Sequence, residues 1–552
     1  MFMVRGFLKR SSLALSSQQQ TILSAASVIG SIYLVSAFFG FVRNRMLSNY
    51  FGDSSELGIF FASDDIPSLI FTIIVSGSIS SAFVPVFLKY YKKGQEEAWK
   101  IASEVMNTSL IGILIFIVVM ITFSDFFARN LIGRSAGMTD AEYRLLENLM
   151  SIMMVAQLGF LFSSYFTSIL HSFKRFIIPA LAPVFMNIGV IIFIYLFTDD
   201  LGIYAPAWGT VFGALIHLLI QLPFVREIGF KYKPYFSIKH EGVKEIYRLT
   251  WPRIFGQAGM RFLIPLNTNL ALFISPASNV ILTFADDIQN LPVRIFGVSI
   301  GQAALPIFVN SLKDEENADQ SEFKILLLKT IRQVVYFVLP VSVLFFILRV
   351  PLVRLAYGAS KYSWEATVMT SYTLGFFSIS LIFQSLAIVL TRGFYALKDT
   401  KTPLIWSIIS VIVNAVCAIY FVRTLDLGVW SLALAFSIGS MVNVVALTFS
   451  LSKKLGGFDW SFLIGPINKM LLISYCLAIA LYVPMKALDK FIFDTTRTLN
   501  LILLTGTVSI FGFVTFIILS KLFRIEELNI IKDVWSALLS KNIKNKKVVI
   551  EE

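Results

Sequence analysis

The sequence predicts an all-α integral membrane protein of fourteen transmembrane helices, on three observations. Of the 552 residues, 56% are hydrophobic and 15% charged, whereas a soluble globular chain is roughly 45–50% apolar and 25% charged. Apolar runs recur from Thr21 to Leu519 with short polar gaps, and about 20 apolar residues make one span. Lastly, the net charge of +13 gathers in alternate loops and the tail, which the positive-inside rule places in the cytoplasm. An even number of spans with both termini cytoplasmic follows. The basic balance is therefore a topology signal, and no nucleic-acid partner is expected.

Taken in order, residues 1–20 are too short to span and are interrupted by Arg5, Lys9 and Arg10, so they read as a cytoplasmic interfacial segment rather than a signal peptide. The predicted spans are 22–47, 59–88, 102–128, 143–172, 176–198, 203–225, 246–274, 278–310, 326–355, 365–392, 403–423, 428–451, 465–488 and 498–520. Pro67 and Pro85 in the second, Pro252 and Pro265 in the seventh, and Pro292 and Pro306 in the eighth predict bent or broken helices. The loops leave no room for a soluble catalytic domain. The organisation expected is an N-lobe at 21–225, a cytoplasmic linker at 226–245, a C-lobe at 246–452, a final helix pair at 453–521, and a basic cytoplasmic tail at 522–552.

The two lobes read as a duplication. Phe61 to Ile66 (Phe-Ala-Ser-Asp-Asp-Ile) repeats as Phe-Ala-Asp-Asp-Ile ending at Ile288, and Pro85 repeats as Pro306 at nearly the same offset along the chain. Pro179 and Asn187 similarly track Pro403 and Asn414. Six spans per lobe keep the same orientation, so helices 1–6 and 7–12 form a pseudo-repeat about the membrane normal, enclosing a central cavity.

A charge near the bilayer centre costs roughly 3 kcal/mol or more and so faces a cavity or a partner. Arg43, Asp64, Asp65, Arg261, Asp286, Asp287 and Arg294 are such charges. Arg253, Arg332 and Arg392 lie nearer segment ends, where long side chains snorkel; Arg253 is kept among the anion-binding candidates. Arginine suits a diphosphate because its planar fork donates two parallel hydrogen bonds and stays charged when desolvated. Asp287 and Arg294 are seven apart and share a helical face, while Asp286 shares one with Asn290.

Cys417 and Cys476 lie in apolar runs and offer no disulfide framework. His171, His217 and His240 lack metal-ligand spacing. With no phosphate-binding loop, zinc-protease motif or nucleophile elbow, no enzyme, metal site or cofactor is expected.

The motifs point to a family. Ser36 to Gly52, with Gly40, Phe41, Val42, Arg43 and then Tyr50, Phe51, Gly52, followed by Ile66, Pro67 and Ser81 to Pro85, resembles the opening of MurJ (MviN) proteins. These are lipid II flippases of the multidrug/oligosaccharidyl-lipid/polysaccharide exporter superfamily. The resemblance continues through Ala285, Asp286, Leu291, Pro292, Gly297 and Pro306, and through Gly393 to Pro403. It implies export of undecaprenyl-diphosphate-linked disaccharide pentapeptide across the bacterial inner membrane by alternating access of a single chain, with membrane lipids as surroundings and a tail groove along helices 13 and 14. Ser36 and Arg43 match family cavity positions, and Asp286 matches an acidic position on helix eight. A sodium site or membrane-potential coupling is also implied: Asp399 and Val411 fall on the cation-site pattern, with Asn267 at a non-matching ligand position.

The chain departs from the family pattern at Ala37, Asn44, Gly58, Phe71, Ser76 and Asp287, mostly by loss of positive charge. Arg261 and Arg294 are expected to restore it. The same departures admit a flippase for another polyprenyl-diphosphate glycan, or a cation exporter of the same superfamily.

Overall fold

The computed structural model describes residues 22–72, 79–132, 137–237, 239–250, 263–312, 321–358 and 361–530. The expectations placed on the interfacial segment, on Ser76, Arg253 and Arg261, and on most of the basic tail fall outside them. Every described element is helical. Eleven helical stretches are long and apolar enough to cross a membrane, and each of the fourteen predicted spans has a helical counterpart among the described residues, a correspondence compatible with the predicted number.

The chain divides into two compact units, and the division differs from the expected lobes. The first comprises Met1–Val280 and Ala356–Ser363, the second Ile281–Leu355 and Trp364–Glu552. The boundary falls after the seventh span rather than in the linker at 226–245, because the described part of that span packs into the first unit.

In the first unit, α1 (Ile22–Phe51) leads into α2 (Ser55–Phe71) and α3 (Ile79–Tyr91). Ser54 caps α2 by accepting the Leu57 N–H. The helices α4 (Gln95–Thr122) and α5 (Ser124–Phe127) are followed by a π-turn, π1 (Ala128–Ile132). Then comes α6 (Asp140–Ser172), started by a reciprocal capping box between Thr139 and Glu142. Three more helices follow, α7 (Ile177–Leu201), α8 (Tyr204–Leu219) and α9 (Leu222–Glu227), and α10 (Leu263–Ile274) represents the seventh span. It packs on α2 and π1, where Asn269 Nδ2 donates to the Ile132 carbonyl at 2.6 Å.

The second unit takes in most of α11 (Pro276–Pro292), whose first residues belong to the first unit. Pro292 ends it in a π-segment, π2 (Val293–Val298), before α12 (Ser299–Asn310) resumes. The expected break in the eighth span is therefore a π-bulge, a wider turn that re-aims the side chains it carries. The remaining helices are α13 (Ser321–Ile347), α14 (Arg349–Tyr357), α15 (Trp364–Ala396), α16 (Lys401–Arg423), α17 (Trp430–Lys454), α18 (Trp460–Phe491) and α19 (Thr498–Leu522). Phe323, Leu327, Val389, Phe394, Leu447 and Leu451 form one buried cluster. A second, with Val335, Ile473, Leu477, Leu504 and Val508, fixes the last two helices against α13.

The duplication is visible in the backbone. The two 33-residue helices α6 and α15 begin at Asp140 and Trp364, and α7 and α16 begin at Ile177 and Lys401, so that one constant offset relates both pairs. Left-handed residues recur at the same spacing, Lys174 with Lys398 and Gly202 with Asp426. Counted from these helix starts, Asn187 corresponds to Val411, which corrects the expected match with Asn414.

Residues 356–358 and 361–363 act as a strap held by the first unit, although both flanking helices run into the second. Ser48 Oγ donates to the Tyr357 carbonyl at 2.6 Å and Arg45 Nη1 to the Ala356 carbonyl at 3.2 Å. The Asp53 carboxylate accepts from the Ser363 backbone N–H and hydroxyl. Gly52 has a φ of +64°, and a Cβ there would overlap the Lys361 carbonyl oxygen; both demands require glycine.

Arg332 corrects the snorkelling expectation. It is 5% exposed, with Nε 2.7 Å from Glu527 Oε1 and Nη2 3.0 Å from Glu526 Oε2. Its guanidinium lies 4.8 Å from the Phe462 ring centroid. Arg392, partly buried, lies over Tyr395.

Candidate functional site

In the first unit a polar group is built around Arg43 on α1. Its Nε donates to Asn44 Oδ1 at 3.0 Å and its Nη1 to Asn187 Oδ1, on α7, at 3.2 Å. Asn187 is oriented in turn by its Nδ2, which donates to the Pro183 carbonyl at 3.1 Å and the Ser36 carbonyl at 3.4 Å. Gly40 leaves the space that the Asn187 amide borders. Asn44 and Asn187 are 3% and 6% exposed. The α1–α7 packing thus places Ser36 and Arg43 in one cluster, joined through Asn187.

Asp64 and Asp65 on α2 extend it. Asp64 lies in the electrostatic field of Arg43. Asp65 accepts a hydrogen bond from Thr268 on α10, while its Oδ2 is buried without a hydrogen-bond partner. The neighbouring Asn267 has a similarly unpartnered Oδ1.

The second unit holds a separate network. Asp286 on α11 accepts from Gln289 Nε2 and from Asn290 Nδ2, each at 2.8 Å, which confirms the face shared by Asp286 and Asn290. Gln289 Oε1 accepts from Gln384 Nε2 at 2.8 Å, and Gln384 also donates to Ser380 Oγ. Arg294 sits on π2 and is exposed. Its field acts on Asp286, whereas Asp287 on the adjacent face is exposed. The π-turn interrupts the regular helical spacing on which the Asp287–Arg294 face rests.

Of the cation pattern, Asn267 belongs to the first unit and the other two residues to the second, and those two are not brought together. Val411 is ten residues into α16, about 15 Å along the helix from its first residue at 1.5 Å per residue, while Asp399 lies just before it. The Asp399 carboxylate is committed elsewhere: it accepts from Lys454 Nζ at 2.6 Å, from the backbone N–H groups of Lys401 and Thr402, and from the Thr402 hydroxyl. Among the described residues no group of three His, Cys, Asp or Glu side chains is placed to hold a metal ion.

The same bridge exists in the first unit with its polarity reversed. Arg175, which precedes α7 as Asp399 precedes α16, pairs with Glu227 at 3.1 Å. Each pair ties the turn after a long helix to the end of a later one, which gives Asp399 a structural duty. The Lys454 ammonium, followed by the Thr402 N–H, holds the Asp399 carboxyl well below its ordinary value. A carboxylate so depressed stabilises the fold above its unfolded pKa, about 3.9, and loses that contribution as pH falls through the folded value. Asp399→Asn should therefore cost on the order of 1 kcal/mol at pH 7. Thermal melts of the variant and the parent should converge as pH falls below about 4. A gap unchanged at low pH would show that the carboxylate charge is not the cause.

Sequence reasoning finds Arg43, Asp64 and Asp286 but uses Asn187 only as a repeat marker. The available signal is an amide within a strongly apolar segment, which requires partners when buried.

Comparison with known proteins yields consistent relatives. The family model described as Lipid II flippase MurJ matches residues 47–501. A probable lipid II flippase MurJ of Buchnera aphidicola subsp. Acyrthosiphon pisum is 30% identical over 427 residues, 76% of this chain and 82% of the relative. One from Borreliella burgdorferi is 29% identical over 507 residues, 89% of this chain and 97% of the relative. A solved structure of lipid II flippase MurJ in an inward closed conformation superposes with a TM-score of 0.75 at 26% identity, covering 90% of this chain and 98% of that one. An inward-facing MATE family transporter shares the fold at a TM-score of 0.64 and 18% identity, covering 78% of this chain and 98% of that one.

Proposed function

Because this chain belongs to the lipid II flippase MurJ family, we infer that it moves lipid II from the inner to the outer leaflet of the bacterial cytoplasmic membrane. It does so by alternating access, as a multi-pass protein with both termini cytoplasmic, working as a single chain and without covalent chemistry. The observation that carries the reading to particular residues is Arg43, a guanidinium within an apolar span whose hydrogen bonds go to two neutral amides. An arginine in that setting retains its charge and three N–H donors for an anionic group such as the substrate diphosphate.

The test is complementation. Expressed in bacteria whose own flippase is depleted, the protein should restore growth and the lipid II reachable by an external probe. Correct membrane insertion without either, confirmed for a host with matching peptidoglycan chemistry, would overturn the reading.

A further inference from the structure

We propose that Asn187 is the positioning residue that sets diphosphate selectivity, by fixing the Arg43 fork without neutralising it. The proposal rests on the function inferred above and names how its anion subsite is built.

Three observations support it. Both side chains that orient Arg43 are amides, Asn44 on its own helix and Asn187 on α7. Among the described residues no carboxylate lies within 4.0 Å of the Arg43 guanidinium, Asp64 included. The direction of the Asn187 amide is also determined: its Nδ2 faces two carbonyl oxygens, so its Oδ1 has to face the arginine.

The chemistry follows from the difference between an amide and a carboxylate of the same shape. An amide oxygen holds a guanidinium N–H in place and leaves the cation's charge for a ligand. A carboxylate at the same distance would form a partly buried ion pair, and an incoming diphosphate would have to compete with it. Restraining two of the five N–H groups also lowers the entropy lost when the remaining donors engage the ligand. Position 187 corresponds to Val411 in the other half of the duplication, so this amide is a property of one half only.

The experiment measures binding of undecaprenyl diphosphate, undecaprenyl monophosphate and undecaprenol to the full-length protein in nanodiscs. The parent should prefer the diphosphate over the alcohol. In Asn187→Asp that preference should fall at least tenfold, because the new carboxylate pairs with the guanidinium, and the variant should melt lower, since an oxygen replaces the Nδ2 donor that faces the Pro183 and Ser36 carbonyls. Asn187→Ala should lose only about threefold in preference and should melt lower, leaving the Pro183 and Ser36 carbonyls without their side-chain donor. The ordering of preference is diagnostic, since a residue that merely packs would not lose more diphosphate preference to the isosteric aspartate than to alanine. If Asn187→Asp keeps the parent's preference, the proposal fails while the flippase reading stands. If the parent itself shows no preference for the diphosphate, both fall.

Discussion

Arg43→Ala is expected to reduce lipid II delivery to the outer leaflet by at least a hundredfold. A bidentate guanidinium contact with a phosphate provides two charge-assisted hydrogen bonds of roughly 1.5–3 kcal/mol each, and two of them exceed the roughly 2.7 kcal/mol that a hundredfold change represents, at about 1.4 kcal/mol per tenfold step. The substitution also removes the cation in whose field Asp64 lies, so the cluster loses the positive charge that would meet a diphosphate. Arg43→Lys should recover only part of the activity, because a lysine supplies a point charge but not the fork that Asn44 and Asn187 hold. Flipping by the variants in depleted cells, normalised to membrane abundance, checks this. Near-parental rates in Arg43→Ala would remove Arg43 from the binding machinery.

The second large effect is on stability. Arg332→Ala should destabilise the protein by about 3–5 kcal/mol, the range for breaking one side of a buried ion pair. The pair is buried on both sides: Arg332 is 5% and Glu527 6% exposed. Removing the arginine leaves Glu527 shut away from solvent with no counter-charge and takes a cation from the face of Phe462. The double variant Arg332→Leu with Glu527→Leu should regain most of the loss, since the desolvation cost disappears with both charges. Thermal melts in detergent, single against double variant, measure it. Equal losses in both would show that side-chain shape, rather than the uncompensated charge, carries the effect.

These two arginines also mark where the sequence is legible and where it is not. A bilayer imposes a length and an apolar composition on every span, so the segments, the proline breaks and the duplication can be read along the chain. Arg43 stands out because a charge in such a segment requires a reason. Arg332 reads as snorkelling because its partners are remote in the chain, Glu526 at a separation of 194 residues and Glu527 beside it, and no local pattern announces them. Asp399 is singled out only by the family's cation-site pattern, and the lysine that occupies it, 55 residues further on, is equally unannounced. The π-turn in the eighth span is half legible, since Pro292 marks the break but not the widened turn that carries Arg294. Asn187 is visible as a residue, but its role arises from the packing of α7 against α1.

The strap at residues 356–358 and 361–363 has a consequence for biosynthesis. Ser48 waits for a carbonyl 309 residues later in the chain, and Asp53 for a serine 310 residues later. At about 5–20 residues per second, the end of α1 is made roughly 15 to 60 seconds before its partner leaves the ribosome. The first unit therefore matures only after the ninth span has been inserted. A gene split at the unit boundary would yield a first fragment lacking its own last piece, and the two fragments would have to be made together to assemble.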